Sequence, residues 1–474
     1  MPPIYSAAID LGATSGRVIL GAWSKNKLTL TEAHRFPNAY RELGAHTYWE
    51  VGTLWHEIQT GLRKAVAALP RGAKLASVGV DTWGCDHVLL NDAGRLVFPA
   101  HAYRDNRTQA GLAALAARGA SRIYAATGIP NVFYNTSLQL AETVARCPAV
   151  TDLATRCLFL PDYFNYLLSG RMENELTVAS TSQLLDVHAP DWSRAALEHF
   201  HIPPTWFTPP VLAGKKLGRV TALPELAGTS VIAVPGHDTA CAYDAMPASP
   251  DGGDLFLSSG TWSLVGFENP APLLGPAALA ARVANERTGA GGYRPLTNVP
   301  GLFLLEQTMA DFKERPESPR AWDALISAAE KLPAPARLLD PTDPAFMAPK
   351  SMRAAIDAQL KRNQATPPKN LAGYTRLICD SIARGHAAAA ANFEKMTGKK
   401  FRRILMVGGG SKNRLLCQAT ADAAGIPVLS FSLEGTAVGN IASQLVALRA
   451  VRNLAAFRAV LGRQLKPTIH QPRS

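Results

Sequence analysis

The chain opens on short apolar runs broken by small polar residues. Tyr5–Ile9 is apolar, Asp10-Leu11-Gly12-Ala13-Thr14-Ser15-Gly16 is small and polar enough to turn, Arg17–Trp23 is apolar again, and Lys27–Phe36 alternates with period two. Runs of this length, punctuated by turn residues, predict three strands joined by tight turns. Over Thr53–Leu69 the period changes. Leu54, Ile58, Leu62, Ala65 and Leu69 fall on one helical face, with Thr53 placed to cap the helix and Pro70-Arg71-Gly72 to end it. A further strand, Leu75–Val80, closes at Asp81. Helices are expected at about 108–119, 137–146, 161–169 and 192–200, and a buried strand, Val231–Val234, runs into Pro235-Gly236-His237-Asp238.

Past this point the opening pattern returns. Leu255–Ser258, Ser259-Gly260-Thr261 and Trp262–Phe267 again spell strand, turn, strand, a structural repeat too worn to show as sequence identity. Two lobes that each open on a hairpin are therefore expected, one over residues 1–243 and one over 244–474. The last third adds a long helix near 371–396, a strand Ile404–Val407, the run Gly408-Gly409-Gly410-Ser411, a helix from about Lys412 to Ala424, a strand Pro427–Phe431 and a helix near 435–451. Strands alternating with helices predict layered α/β domains.

Composition narrows the classes. A chain of 474 residues is too long for one core. With 47% hydrophobic and 18% charged residues it is an ordinary globular chain rather than a disordered one. The formal charge of +12 would attract an anionic ligand such as ATP, but the basic residues form no long run. The densest cluster, Lys399, Lys400, Arg402 and Arg403, lacks interleaved aromatics, so no nucleic-acid partner is expected. No apolar run reaches the roughly 18 residues of a membrane helix, and Met1–Leu11 has no signal-peptide pattern. Six scattered cysteines without a CxxC read as small buried groups in a reducing cytoplasm.

Five places have the residue types for chemistry. In Asp10–Arg17, glycines allow backbone amides close to an anion, Thr14 and Ser15 offer hydroxyls, Arg17 offers a planar fork for phosphate, and Asp10 at a strand end suits a magnesium ion held through water. A plain hairpin turn uses the same residues. Ser258–Trp262 is a second such turn, and two of them facing across a cleft can grip one polyphosphate. In Gly236-His237-Asp238-Thr239, a carboxylate after a buried strand suits the acceptor for an attacking hydroxyl. Residue types alone lean towards Asp238 as a helix N-cap, or Thr239 in that place. Val407–Asn413 places a glycine-rich turn before a helix, as a nucleotide site does, although Asn413 stands where a dinucleotide fingerprint has its third glycine. Last, Asp81–Asp86 with Tyr103-Arg104-Asp105 combines Trp83, carboxylates and Arg104 in the manner of a small polar-ligand site.

In this order these stretches resemble the FGGY family of carbohydrate kinases, from about residue 6 to residue 450. The segments that carry the resemblance include AIDLGATSGRVIL, VGVDTWGCDHVLLNDAG, AYRDNRT, GHDTA, LSSGTWSLVGFE, MVGGGSKN and TAVGNIA. DTWGCD, YRDNRT and SSGTWSLVGFE are similar to the branch of the family that phosphorylates L-rhamnulose. The resemblance implies two ribonuclease H-like lobes of the actin-like kind with ATP and sugar in a cleft between them. It implies Asp238 as catalytic base, with His237, Thr239, Gly84 and Asn298 at the sugar beside Trp83, Asp86 and Arg104. ATP is expected at Ala13, Thr14, Ser15, Gly16, Arg17, Gly260, Thr261, Gly409 and Gly410, with magnesium at Asp10. Glu306 stands where relatives tend to carry glutamine on the nucleotide side, and Cys85 and His87 replace more apolar or aromatic residues beside the sugar loop.

Overall fold

Apolar residues on both faces of a strand require cover on both sides, and the first strand shows this: Ala7, Ala8 and Ile9 are all fully buried. The computed structural model describes every residue except 1, 250, 348, 433 and 474. It forms an α/β fold in two compact units. The first comprises Met1–Pro247, Glu268–Pro295 and Glu434–Gln464, and the second Ala248–Phe267, Leu296–Leu433 and Leu465–Ser474. The chain first passes between units after Pro247, and two later segments return to the first unit.

The first unit holds a six-stranded sheet in the order Lys27–Pro37, Ser15–Ser24, Ile4–Leu11, Leu75–Thr82, Ser230–Ile232, Lys216–Arg219. The first three strands pair antiparallel, the next two neighbours pair parallel, and the edge is antiparallel again. Helix Val51–Ala67 covers the outer strands through Leu54, Ile58, Leu62 and Ala65. It begins two residues before the expected cap at Thr53, because it follows directly on the strand His46–Trp49, whose last residue is tied by its N–H to the carbonyl of Ala100 (2.8 Å). On the central strands lies helix Gly435–Ala447, from far along the sequence. Its Gln444 donates to the carbonyl of Ala7 (2.9 Å) and accepts from the Ser77 hydroxyl (2.6 Å).

The second unit repeats the plan. Its strands run Leu296–Pro300 (the end of Tyr293–Pro300), Trp262–Gly266, Asp254–Ser259, Arg403–Val407, Val428–Ser430 and Thr468–His470. They follow the same series of antiparallel, antiparallel, parallel, parallel and antiparallel neighbours. In both units the first strand is central and pairs antiparallel with the second and parallel with the fourth. The repeat expected from two strand–turn–strand patterns is thus present as topology, differing only in the order of the last two strands. Among the described residues no helix is long and apolar enough to cross a membrane.

Candidate functional site

Parallel pairing of the first and fourth strands of the first unit sets Asp10 beside Asp81, register partners at the carboxyl ends of their strands. Ligands of α/β sheets gather at such ends. The turn that follows is pinned from within: Gly12 N–H donates to the Ser15 carbonyl (3.0 Å), and Asn38 donates from its side chain to Gly12 (2.8 Å) and from its backbone to Thr14 (3.0 Å). This leaves Thr14 exposed at the tip. Gly16 has a packing reason to be glycine, since a Cβ there would lie 2.3 Å from the Phe36 ring. Arg17 holds Asp10 through Nε (2.8 Å) and Nη2 (2.7 Å), and its Nη1 binds Glu434, so three of its five N–H donors are engaged.

Negative charge is concentrated here. Burial, opposed by Arg17 and reinforced by Asp238 and Glu434, brings the Asp10 carboxyl up to about 6. Burial likewise raises Asp81 well above the carboxylate range, with Asp10 and Asp238 adding and an Asn440 hydrogen bond opposing. Oδ2 of Asp81 accepts from Asn440 (2.6 Å), while its Oδ1 is buried with no partner among the described residues. Orphaned carboxylate oxygen beside a second carboxylate fits a hard cation. Among the described residues no three His, Cys, Asp or Glu side chains form a complete donor set. The residues therefore suit an ion that keeps water and phosphate oxygens in its shell, as magnesium does.

Strand Ser230–Ile232 leads into Gly236, whose N–H donates to Glu175 Oε2 (2.8 Å), and the His237 N–H donates to Thr177 Oγ1 (3.3 Å). A helix follows over Asp238–Asp244. The N-cap position belongs to His237, without a side-chain cap bond, and Asp238 is the first helical residue. Its side chain is 31% exposed and accepts from the Thr239 hydroxyl (3.0 Å). Neither Asp238 nor Thr239 is used as the cap, so the carboxylate is left for another task. His237 is buried, with Nε2 3.4 Å from Asp238 Oδ1.

The loop after Asp81 is organised around Asp86. This buried carboxylate accepts from the indoles of Trp49 (2.5 Å) and Trp83 (2.8 Å), from the N–H of Tyr103 (3.1 Å) and from Gln139 (3.2 Å). Burial raises it to about 6, with these bonds opposing. Four donors from three other parts of the chain and from the loop itself thus fix this carboxylate in place. Trp83 is buried as well, its ring centroid 4.2 Å from that of Trp49. Arg104 is exposed and donates to the Tyr103 hydroxyl (3.2 Å). Gly84 packs on Thr181, and Cys85 adopts a left-handed φ of 72°. Threonine hydroxyls hold that conformation: Thr181 accepts from the Cys85 N–H (3.0 Å) and Thr136 donates to its carbonyl (2.6 Å). His87 is buried, and burial with Arg107 and His101 pushes it down to about 3, so it is neutral.

In the second unit two predicted turns meet. Ser259 is buried, and a Cβ on Gly410 would lie 2.1 Å from its Oγ, while one on Gly408 would lie 2.4 Å from its carbonyl. Gly408 and Gly410 therefore let that turn lie directly on Ser259, at the start of Ser259-Gly260-Thr261. Gly409 has open space where a side chain would be, and Thr261 is exposed. Asn413 caps helix Arg414–Ala424 by accepting from the N–H of Leu416 (3.1 Å), so the helix starts later than the expected Lys412. Asn298 is exposed on its strand opposite Leu264. Glu306, on helix Phe303–Phe312, pairs with Arg315 at 3.0 Å.

Sequence reasoning missed Glu175, Glu434, Asn440, Glu286 and Arg294. Asn440 lies within TAVGNIA, but no role was read for it, and each of the five acts on a predicted residue from a distant part of the chain.

Residues 5–243 match the model of the FGGY family of carbohydrate kinases, N-terminal domain, and residues 255–448 match that of its C-terminal domain. The chain is 37% identical over 474 residues to the rhamnulokinase of Enterobacter sp. (strain 638), covering 99% of this chain and 95% of the relative. Similar solved structures include gluconate kinase from Lactobacillus acidophilus (TM-score 0.81, 15% identity, covering 99% of this chain and 94% of that one). Another is Plasmodium falciparum glycerol kinase with ADP (TM-score 0.81, 13% identity, covering 100% and 94%). At these identities the structures speak for a common fold.

Proposed function

The chain belongs to the FGGY family of carbohydrate kinases, and from that premise we propose that it transfers the terminal phosphate of ATP to the terminal hydroxyl of L-rhamnulose. The products are L-rhamnulose 1-phosphate and ADP. Identity of 37% to the Enterobacter rhamnulokinase over nearly the whole of both chains is the observation that carries this choice of sugar.

Asp238 accepts the proton of the attacking hydroxyl. Its partial exposure at the first turn of a helix, with the cap position filled by His237, supports that role. His237, Thr239, Gly84, Arg104 and Asn298 orient the sugar, while Trp83 and Asp86 hold the loop that shapes its pocket. The turn Ala13–Arg17 and the turn at Gly260-Thr261 bind ATP phosphates through backbone amides and hydroxyls, with the Arg17 guanidinium added. Magnesium, when bound with ATP through Asp10 and Asp81, supplies charge neutralisation at the transferring phosphoryl group. What the chain contributes is then chiefly positioning and fixed electrostatics.

The test is ADP release with ATP, magnesium and a panel of L-rhamnulose, L-fuculose, L-ribulose and xylulose. Strongest stimulation by L-rhamnulose is expected. Preference for another ketose would keep the kinase and assign the change to the pocket around Cys85 and His87. ATP turnover that no sugar stimulates would overturn the substrate reading.

A further inference from the structure

The hydroxyls of Thr177, Ser180 and Thr181, on one short stretch of the first unit, are wired alike. Each gives its proton to an acceptor inside the stretch, and its oxygen is thereby turned to a backbone N–H from a distant part of the same unit. Thr177 donates to Glu175 Oε2 (2.6 Å) and accepts from His237 (3.3 Å). Ser180 donates to the Thr177 carbonyl (2.6 Å) and accepts from Arg287 (2.9 Å). Thr181 donates to the Val178 carbonyl (2.8 Å) and accepts from Cys85 (3.0 Å). Glu175, Thr177, Ser180 and Thr181 are all buried.

Glu175 anchors the start of the stretch. Its Oε2 accepts from the N–H of Thr177 (2.9 Å) and of Val178 (3.1 Å), which caps the turn Leu176–Ala179, and it also accepts from the N–H of Gly236 (2.8 Å). Burial raises this carboxyl, and those bonds oppose the rise. The Thr82 N–H donates to the Gly236 carbonyl (2.9 Å), so Gly236 is held by both its N–H and its carbonyl, two residues before Asp238. Space is tight as well: a Cβ on Gly236 would lie 3.0 Å from Val178 and 3.1 Å from Glu175 Oε2. At the other end, a Cβ on Gly84 would lie 3.0 Å from Thr181 Oγ1. A buried N–H without an acceptor is costly, so neither loop can shift without losing a bond to the same stretch.

We propose that Glu175–Thr181 is the frame of the site: Glu175 and Thr177 set where Asp238 stands, and Thr181 sets the Gly84-Cys85 loop that the sugar meets. The inference rests on the kinase reading above. Proton acceptance needs the base within hydrogen-bond reach of the attacking hydroxyl, and a misplacement of about 1 Å costs on the order of a hundredfold. Glu175, Thr177 and Thr181 are then positioning residues, acting through the backbone of the two loops. The two ends of one stretch should therefore move different kinetic constants, which general loss of stability would not do.

Glu175→Leu removes the acceptor and keeps most of the bulk. With L-rhamnulose, or the ketose that the panel prefers, kcat should fall roughly ten- to a hundredfold, more than the KM for the sugar rises. Glu175→Gln keeps an acceptor oxygen and should recover most of kcat. If Glu175→Leu does not fold, Thr177→Val takes its place, with Thr177→Ser as the rescue. Thr181→Val should act chiefly on the KM for the sugar, raising it roughly fivefold, the worth of one hydrogen bond. In an Asp238→Asn background, Glu175→Leu or Thr177→Val should cost little further kcat, because both act through the same carboxylate. Wild-type kcat in a folded Glu175→Leu or Thr177→Val protein overturns the proposal, as does a full further loss in the Asp238→Asn background or the same kinetic effect from both ends. Hydrogen-exchange mass spectrometry reads the anchoring without turnover. Exchange over 236–238 should rise in the Glu175→Leu and Thr177→Val proteins, and over 84–86 in Thr181→Val; unchanged exchange at these places overturns the frame. Failure of every sugar to stimulate the wild-type protein would count against the kinase reading and leave the exchange result to decide whether the stretch holds both loops.

Discussion

The Asp238 side chain is 31% exposed while its neighbours His237 and Thr239 are buried, so it can meet a ligand hydroxyl without leaving its helix. Asp238→Asn keeps the shape and removes the basicity. Turnover should fall by about 10²–10⁴, the usual worth of a positioned base, with sugar affinity nearly intact. Steady-state kinetics checks this, and turnover close to wild type would remove Asp238 from the role. A few residues along the same helix, Asp244 tests how burial acts on a carboxyl. Burial raises it to about 7, with Arg458 opposing and Glu268 adding. Between its unfolded value of 3.8 and about 7, the folded chain holds a proton that the unfolded chain has lost. Stability from this group is therefore greatest at acid pH and falls as pH rises through that window. Asn cannot ionise, so the urea midpoint of Asp244→Asn relative to wild type should climb between about pH 5 and about pH 8. A flat difference would mean that the folded carboxyl is already ionised at the lower pH.

Helix Gly435–Ala447 joins two parts of the first unit. It hydrogen-bonds the central strands through Asn440 and Gln444, and it packs on helix Asp238–Asp244. That second contact depends on Gly439, where a Cβ would lie 1.8 Å from the carbonyl oxygen of Cys241. Backbone on one side and a sheet on the other leave no room to yield. Gly439→Ala should therefore destabilise the protein by about 1–3 kcal/mol despite alanine's better helix propensity. Because the crowded partner is the helix that begins at Asp238, kcat should fall as well. Urea unfolding and kinetics on the same variant check both; unchanged stability would show that the two helices separate at little cost. Local patterns predicted Gly439 only as part of a helix, since the need for glycine arises from a residue almost two hundred positions away.

Both units are built on a central strand that turns back through Gly, Ser and Thr, and each presents a threonine at that turn, Thr14 in one and Thr261 in the other. If both turns serve phosphates, Thr14→Ala and Thr261→Ala should each raise the KM for ATP about tenfold or more, the worth of a hydrogen bond to a charged group. The KM for sugar should change little. Selective loss of sugar affinity in either variant would contradict the shared role. Much of this plan was legible in the sequence: two strand–turn–strand openings, the helix Val51–Ala67, the glycine turn before Arg414–Ala424, and Gly-His-Asp-Thr after a buried strand. These are features of period and turn chemistry, which act over a few neighbouring residues and so leave a local record. The tertiary structure alone decided that Asp86 is satisfied by two tryptophans, Tyr103 and Gln139, and that Arg17 is shared between Asp10 and Glu434. It alone returned Glu268–Pro295 and Glu434–Gln464 to the first unit, bringing Glu286 to His237 and Asn440 to Asp81. Such partners are chosen by burial, which makes an unpaired polar group costly wherever in the chain its partner lies, and no periodicity along the sequence encodes that choice.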